Sequence, residues 1–305
     1  MPDASLARAG FAKPFANSNK NLIWIASYPK SGDTRVGIFL HNLLTELADQ
    51  SGGAQNGILQ HVRESARENF ERVIGKPIPE SAAREIARTR PEVQRQMAVA
   101  QPAPFLVKTH MAIGHDLQYP TINLSVTQAA IQVVRNPLDV AVSLADEHHK
   151  SIDTAISILG TEDFKSAMTE RTVVEFIGSW SQNVASWIGV TACPVHVIRY
   201  EDMLTNPMRA FSNLARFLRQ SPTEAQLETA IANTFPADPS ESSRRSDNKD
   251  RADASPSKGQ QASWQGVLSP EHVRGIIQAH APMMQRFGYL PPDCGLSVPA
   301  GRRSK

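Results

Sequence analysis

Ser27-Tyr28-Pro29-Lys30-Ser31-Gly32-Asp33-Thr34-Arg35-Val36-Gly37 follows an apolar run, Leu22 to Ala26, and precedes a helical-looking one, Ile38 to Leu47. A strand, a tight turn with Pro and Gly, then a helix is how chains build a phosphate cradle. The turn exposes consecutive backbone N–H groups, and the helix start adds partial positive charge. Lys30 and the hydroxyls of Ser31 and Thr34 add donors. Two residues stand out. Asp33 puts a negative charge where an anion would bind, and Arg35 is a large cation just inside the helix. The stretch is not the Walker A pattern GxxxxGK(S/T), because its Lys precedes the Gly. Taken alone, it is either an anion loop or an ordinary strand–helix turn.

The strand–helix alternation continues outward. Phe105–Lys108, Ala130–Val134 and Val195–Arg199 read as further short strands, and Thr34–Ala48, Leu138 to about His148, Pro207–Leu218 and Glu224–Ala232 as helices. Ser269–Arg286 reads as a helix with Ser269 as N-cap, Pro270 at the first position and Gly288 as stop. Thr172–Ile188 carries Val173, Phe176, Ile177, Trp180, Val184 and Trp187 at helical spacing. Residues 58–104 read as a helical insertion broken at Pro77, Pro79 and Pro91. The pattern predicts an α/β fold, a P-loop-like three-layer sandwich around a mostly parallel sheet of about 4–5 strands. The predicted organisation is a flexible arm at 1–20, one domain at 21–290 and a loose tail at 291–305. Within the domain, 236–263 is a polar, lid-like loop, either disordered or ordered by ligand.

Ligands bind such sheets at the carboxyl ends of the strands. Tyr28–Thr34, Lys108–His110, Arg135–Ser143 and Tyr200–Asp202 all fall there. An arginine at a strand end, as Arg135, can grip a phosphate by two parallel hydrogen bonds. Ser143 lies eight residues on and by itself reads as an unremarked helix serine. Lys108 and His110 are two apart, so in an extended chain they share a side. A cation and a potential base near a phosphate loop suggest group transfer; the alternative is a structural histidine held by backbone. His148 and His149 diverge by about 100° on a helix and do not chelate easily. Trp180 and Trp187 read as core, and Arg244, Arg245, Lys249 and Arg251 as a solvated loop.

The bulk numbers agree with a local site. Of 305 residues, 41% are hydrophobic and 20% charged, and the net charge of +2 argues against a bulk nucleic-acid or membrane binder. Cys193 and Cys294 give neither zinc spacing nor a disulfide framework. The first twenty residues lack a signal-peptide apolar core, and no apolar run reaches the ~18 residues of a membrane span. A soluble, cytoplasmic protein is expected.

Together these pieces resemble the sulfotransferases that use 3′-phosphoadenosine 5′-phosphosulfate (PAPS), in a layout like the bacterial branch. The family's YPKSGTTW loop is similar to Tyr28–Arg35, its KTH segment to Lys108-Thr109-His110, its RNPxDVxVS motif to Arg135–Ser143, and its YED element to Tyr200-Glu201-Asp202. GSW at Gly178–Trp180 and FGYL at Phe287–Leu290 extend the likeness over about residues 21–290. The resemblance implies that Lys30, Ser31, Gly32 and Thr34 hold the 5′-phosphosulfate of PAPS, with Asp33 and Arg35 also among the cofactor-binding positions. It implies that Arg135 and Ser143 hold the 3′-phosphate and that Tyr200 sits near the adenine. It makes His110 the general base toward a hydroxyl or amine of a small molecule or glycan, with Lys108 and Lys30 neutralising the moving sulfuryl group and no metal required.

Three departures qualify it. Asp33 replaces a Thr or Asn, Arg35 replaces an adenine-stacking Trp, and the family's RKGxxGxW loop reads Ser257-Lys258-Gly259-Gln260-Gln261-Ala262-Ser263-Trp264, which leaves Lys258 and Gly259 as phosphate contacts. A guanidinium can also stack on a base. The expectation is an active enzyme with weakened cofactor binding; the alternative is a degenerate member that holds nucleotide without catalysis. A P-loop kinase is disfavoured by the missing Walker A motif and Mg²⁺ carboxylates. Acceptor choice falls to residues 58–104, the stretch after Ser143 and 236–263, which no sequence rule reads, and the oligomeric state is likewise left open.

Overall fold

The central sheet has five strands, all parallel, in a computed structural model that describes residues 20–50, 62–100, 105–147, 149–235 and 264–292. The strands are β1 (Leu22–Ser27), β2 (Val62–Arg63), β3 (Phe105–Thr109), β6 (Thr127–Val134) and β7 (Val195–Arg199), in the order β2-β3-β1-β6-β7. A two-stranded hairpin, β4 (His115–Asp116) with β5 (Tyr119–Pro120), stands apart. β1 is buried along its whole length, as its unbroken apolar sequence requires of a strand covered on both faces.

Alternation along the strands divides the core. Ile23, Ile25, Leu106, Ile131 and Val133 face α1 (Asp33–Gln50), α8 (Pro207–Phe217) and α9 (Glu224–Thr234), where Phe39 stacks on Phe211. Trp24, Val107 and Ala130 face α2 (Arg67–Ile74), α3 (Ala83–Ala100) and α6 (Trp180–Ile188) through Phe70, Val93 and Trp187. A third cluster joins Val134, Leu138, Trp180 and Met284. It packs α4 (Pro137–Glu147) and α5 (Ile152–Gly160) against α10 (Pro270–Phe287). The Ser269 cap, Pro270 and the left-handed Gly288 stop are as the sequence predicts.

Two sequence expectations are corrected. Pro91 does not break the insertion: it lies inside α3, whose Ile86, Val93 and Met97 pack into the core and hold the helix through the missing N–H. Thr172–Ile188 is not one helix. Gly178 at φ 72 and a Ser179–Gln182 capping box start the helix at Trp180. The β-branched run before it is extended, with Val173 N donating to Ser65 O and Lys165 bridging to Phe176. Edge strand β2, the hairpin, α5 and α7 (Tyr200–Thr205) were not anticipated. Among the described residues, no helix is long and apolar enough to cross a membrane.

Candidate active site

The stretch after β1 is a strained turn. Lys30 has φ 69 and Gly32 φ 97, so two of three successive residues are in left-handed backbone. That is common for Gly and costly for Lys, and Ser31 N donates back to Tyr28 O at 3.2 Å to close the turn. A Cβ on Gly32 would run into the Tyr200 ring, so only glycine fits there. Arg135 Nη1 donates to Lys30 O at 3.0 Å and fixes the loop from behind. Ser31 Oγ is buried and has no hydrogen-bond partner, an orphaned donor in a loop shaped for an anion.

Both lysines predicted for the chemistry are already engaged by carboxylates. Lys30 Nζ lies 3.0 Å from Glu147 of α4. Lys108 Nζ, reaching across from β3, forms an ion pair with Asp33 and donates to Thr34 Oγ1 at 3.3 Å. Asp33 is therefore turned inward, into the space between the loop and β3, while also sitting in the first turn of α1, where a carboxylate is favourable.

His110 leaves the end of β3 beside Ser27, the last residue of β1. Its Nδ1 lies 3.1 Å from Ser27 O and 3.2 Å from Ser27 Oγ. A carbonyl only accepts, so Nδ1 carries the hydrogen and Nε2 is left with a lone pair. Burial, then Lys108 and Arg63, hold the imidazole pKa well below its ordinary value, and the bond to Ser27 only partly offsets them. The ring is thus a neutral base at neutral pH. Asn183 Nδ2 anchors His110 O at 2.8 Å.

On the other side of β1, two guanidiniums lie over Tyr200, with Arg135 Cζ 4.4 Å and Arg35 Cζ 6.0 Å from its centroid. Arg35 also lies 5.0 Å over Phe235. Glu201 accepts from Asn136 N at 2.9 Å and from Tyr289 Oη at 2.7 Å, tying α7 to the start of α4. Asp139 is buried and accepts from Trp264 N at 3.1 Å. Burial raises its pKa to about 6, against the lowering pull of that bond and of Arg135. The contact brings residue 264 against α4. Ser143 is half-buried on α4. Lys258 and Gly259, with the lid expectation at 236–263, lie outside the described residues.

The strand ends thus bring together Lys30, Ser31, Gly32, Asp33, Thr34, Lys108 and His110, with Arg35, Arg135 and Tyr200 stacked alongside. Sequence reasoning missed Glu147, Arg63 and Phe235. Glu147 stands four residues after Ser143 and shares its helix face, a usable signal. A two-residue strand gives no pattern from which to place Arg63. Among the described residues, no group of three or more His, Cys, Asp or Glu side chains is arranged to hold a metal.

The sulfotransferase domain family matches residues 20–288. Sulfotransferase 1B1 of Canis lupus familiaris is 29% identical over 231 residues, 72% of this chain and 69% of that protein. Sulfotransferase 1A1 of the same species is 31% identical over 139 residues, 44% of this chain and only 43% of that relative's length. Among solved structures, mouse sulfotransferase SULT7A1 complexed with PAP has a TM-score of 0.53 at 15% identity, covering 89% of this chain and 86% of that one. Retinol dehydratase in complex with androsterone and the inactive cofactor PAP has a TM-score of 0.54 at 14% identity, covering 91% and 82%. Identities this low bear on the fold alone.

Proposed function

The chain belongs to the family of PAPS-dependent sulfotransferases, and from that premise we propose that it sulfates a hydroxyl, or an amine, of a small molecule or glycan with His110 as general base. PAPS supplies the sulfuryl group: as the acceptor oxygen bonds to sulfur, the bond to the 5′-phosphate oxygen breaks and 3′-phosphoadenosine 5′-phosphate (PAP) is released. The observation that carries the reading is His110 held through Nδ1 by the last residue of β1, with Nε2 bare and Lys108 adjacent. Nε2 takes the acceptor's proton.

The remaining groups suit fixed-charge catalysis. The Lys30–Gly32 turn, its orphaned Ser31 hydroxyl and Thr34 fit a 5′-phosphosulfate, and Lys108 and Lys30 fit charge growing on peripheral oxygens. Arg135 and Ser143 fit the 3′-phosphate, Tyr200 with Arg35 the adenine side, and Lys258 and Gly259 complete the set by resemblance. Transfer from sulfur-labelled PAPS to a panel of phenols, alcohols, amines and sugars tests this. Label transfer that His110→Ala abolishes is expected; unchanged turnover in that variant refutes the base.

The ion pair between Asp33 and Lys108 favours a second reading, nucleotide binding without catalysis. Heat on adding PAP together with no transfer to any acceptor would select it.

A further inference from the structure

We propose that Arg63 binds a carboxylate on the acceptor, making this a sulfotransferase for anionic acceptors. The inference rests on the function proposed above and names the acceptor class it leaves open. The sheet order supplies the frame. From β1 the nucleotide groups extend through β6 to β7, as Lys30–Thr34, Arg135 and Tyr200. His110 lies on the opposite side, after β3, and β2 lies beyond it. An acceptor oxygen at His110 therefore has the nucleotide loop after β1 on one side and β2 on the other.

Arg63 ends β2 in register with Lys108. Its predecessor, Val62, pairs with Val107 and packs with it into the core cluster on the α3 face, so Arg63 stands on the opposite face, with Lys108. Strand spacing separates Arg63 from Lys108 by about 5 Å between backbones, and His110 lies two residues, about 7 Å, further along β3. The guanidinium is one of the charges that depress the His110 pKa, after burial and Lys108.

Among the described residues, the Arg63 guanidinium makes no hydrogen bond or ion pair, although it is half-buried. The nearby acids are committed elsewhere. Glu64, on the buried side, is gripped by Arg90 Nη1 at 2.9 and 2.6 Å and by Gln94 at 3.1 Å. Asp33 is on Lys108, and Glu175 Oε1 faces His110 N at 3.5 Å. A half-buried cation beside another cation is costly to leave unpaired. Its planar fork matches a carboxylate. Lys108 stands between Arg63 and the Lys30–Thr34 loop and is paired with Asp33 there, so the anion that completes Arg63 belongs to the acceptor.

The test uses the full chain loaded with PAP and a set of hydroxylated aryl and alkyl acids, 4-hydroxyphenylacetate among them, each beside its amide. Calorimetry should show the acids binding roughly ten- to a hundredfold tighter than the amides. Arg63→Met should erase that preference and leave PAP affinity within about threefold, while Arg63→Lys should keep part of it. With PAPS in place of PAP, kcat/KM should follow the same order. Failure of the wild-type chain to bind PAP strikes the function proposed above. If PAP binds, equal handling of acids and amides, absence of binding across the set, or a preference that survives Arg63→Met overturns the role of Arg63 alone.

Discussion

Asp33→Asn should tighten nucleotide binding while destabilising the protein without nucleotide. The Asp33 carboxylate is 6% exposed and its partner Lys108 16%, so the pair is largely shielded from water. Asp33 directly follows Gly32, so an anion on the loop amides lies within two residue lengths, about 7.6 Å, of its carboxylate. At an effective dielectric of about 20, the repulsion at that range is about 2 kcal/mol. Removing the charge should therefore lower the Kd for PAP by roughly 30-fold. Lys108, released from its carboxylate, adds in the same direction. The opposing effect falls on the unliganded fold, because an uncompensated buried lysine costs up to about 3 kcal/mol. Thr34 Oγ1 still accepts from Lys108 and limits that loss. Calorimetry gives the Kd, and thermal melts with and without PAP give the stability. The variant should melt lower alone and gain more from PAP than wild type. An unchanged or weaker Kd would refute the reasoning, because the carboxylate would then not compete with the nucleotide for Lys108.

Other perturbations separate the parts of the site. His110→Ala should cut kcat by roughly 10²–10⁴-fold with PAP affinity nearly unchanged, read by turnover and calorimetry. Because the His110 pKa lies below its ordinary value, protonation should remove activity only on acidification past the normal histidine range, so kcat/KM should stay flat from pH 6.5 to 8. Gly32→Ala forces a Cβ into Tyr200 at positive φ, and should cost about 1–3 kcal/mol in a urea melt and weaken PAP binding. Glu64→Leu strands the fully buried Arg90 and should destabilise by about 3–5 kcal/mol.

Much of this molecule is written locally in the chain. The unbroken apolar run of β1 specifies a central strand, Pro and Gly with a helix start specify the turn after it, and Ser269-Pro270 and Gly288 specify the ends of α10. Four polar motifs at four strand ends locate the site, because a parallel sheet gathers those ends on one edge whatever the details of packing. Where local pattern misled, at Pro91 and over Thr172–Ile188, burial of Val93 and Met97 and the Ser179 cap outweighed backbone preference and apolar spacing. Which charges pair was not legible, although helix spacing places Glu147 on the Ser143 face. That Asp33 faces Lys108, Glu147 faces Lys30 and Arg35 lies over Phe235 depends on distances between residues far apart in sequence. Coulomb and stacking energies follow distance in space, which only the assembled sheet and helices set. Arg63 shows the difference most sharply. A two-residue strand carries no periodicity, yet its register against β3 decides which face the arginine takes and what it stands beside.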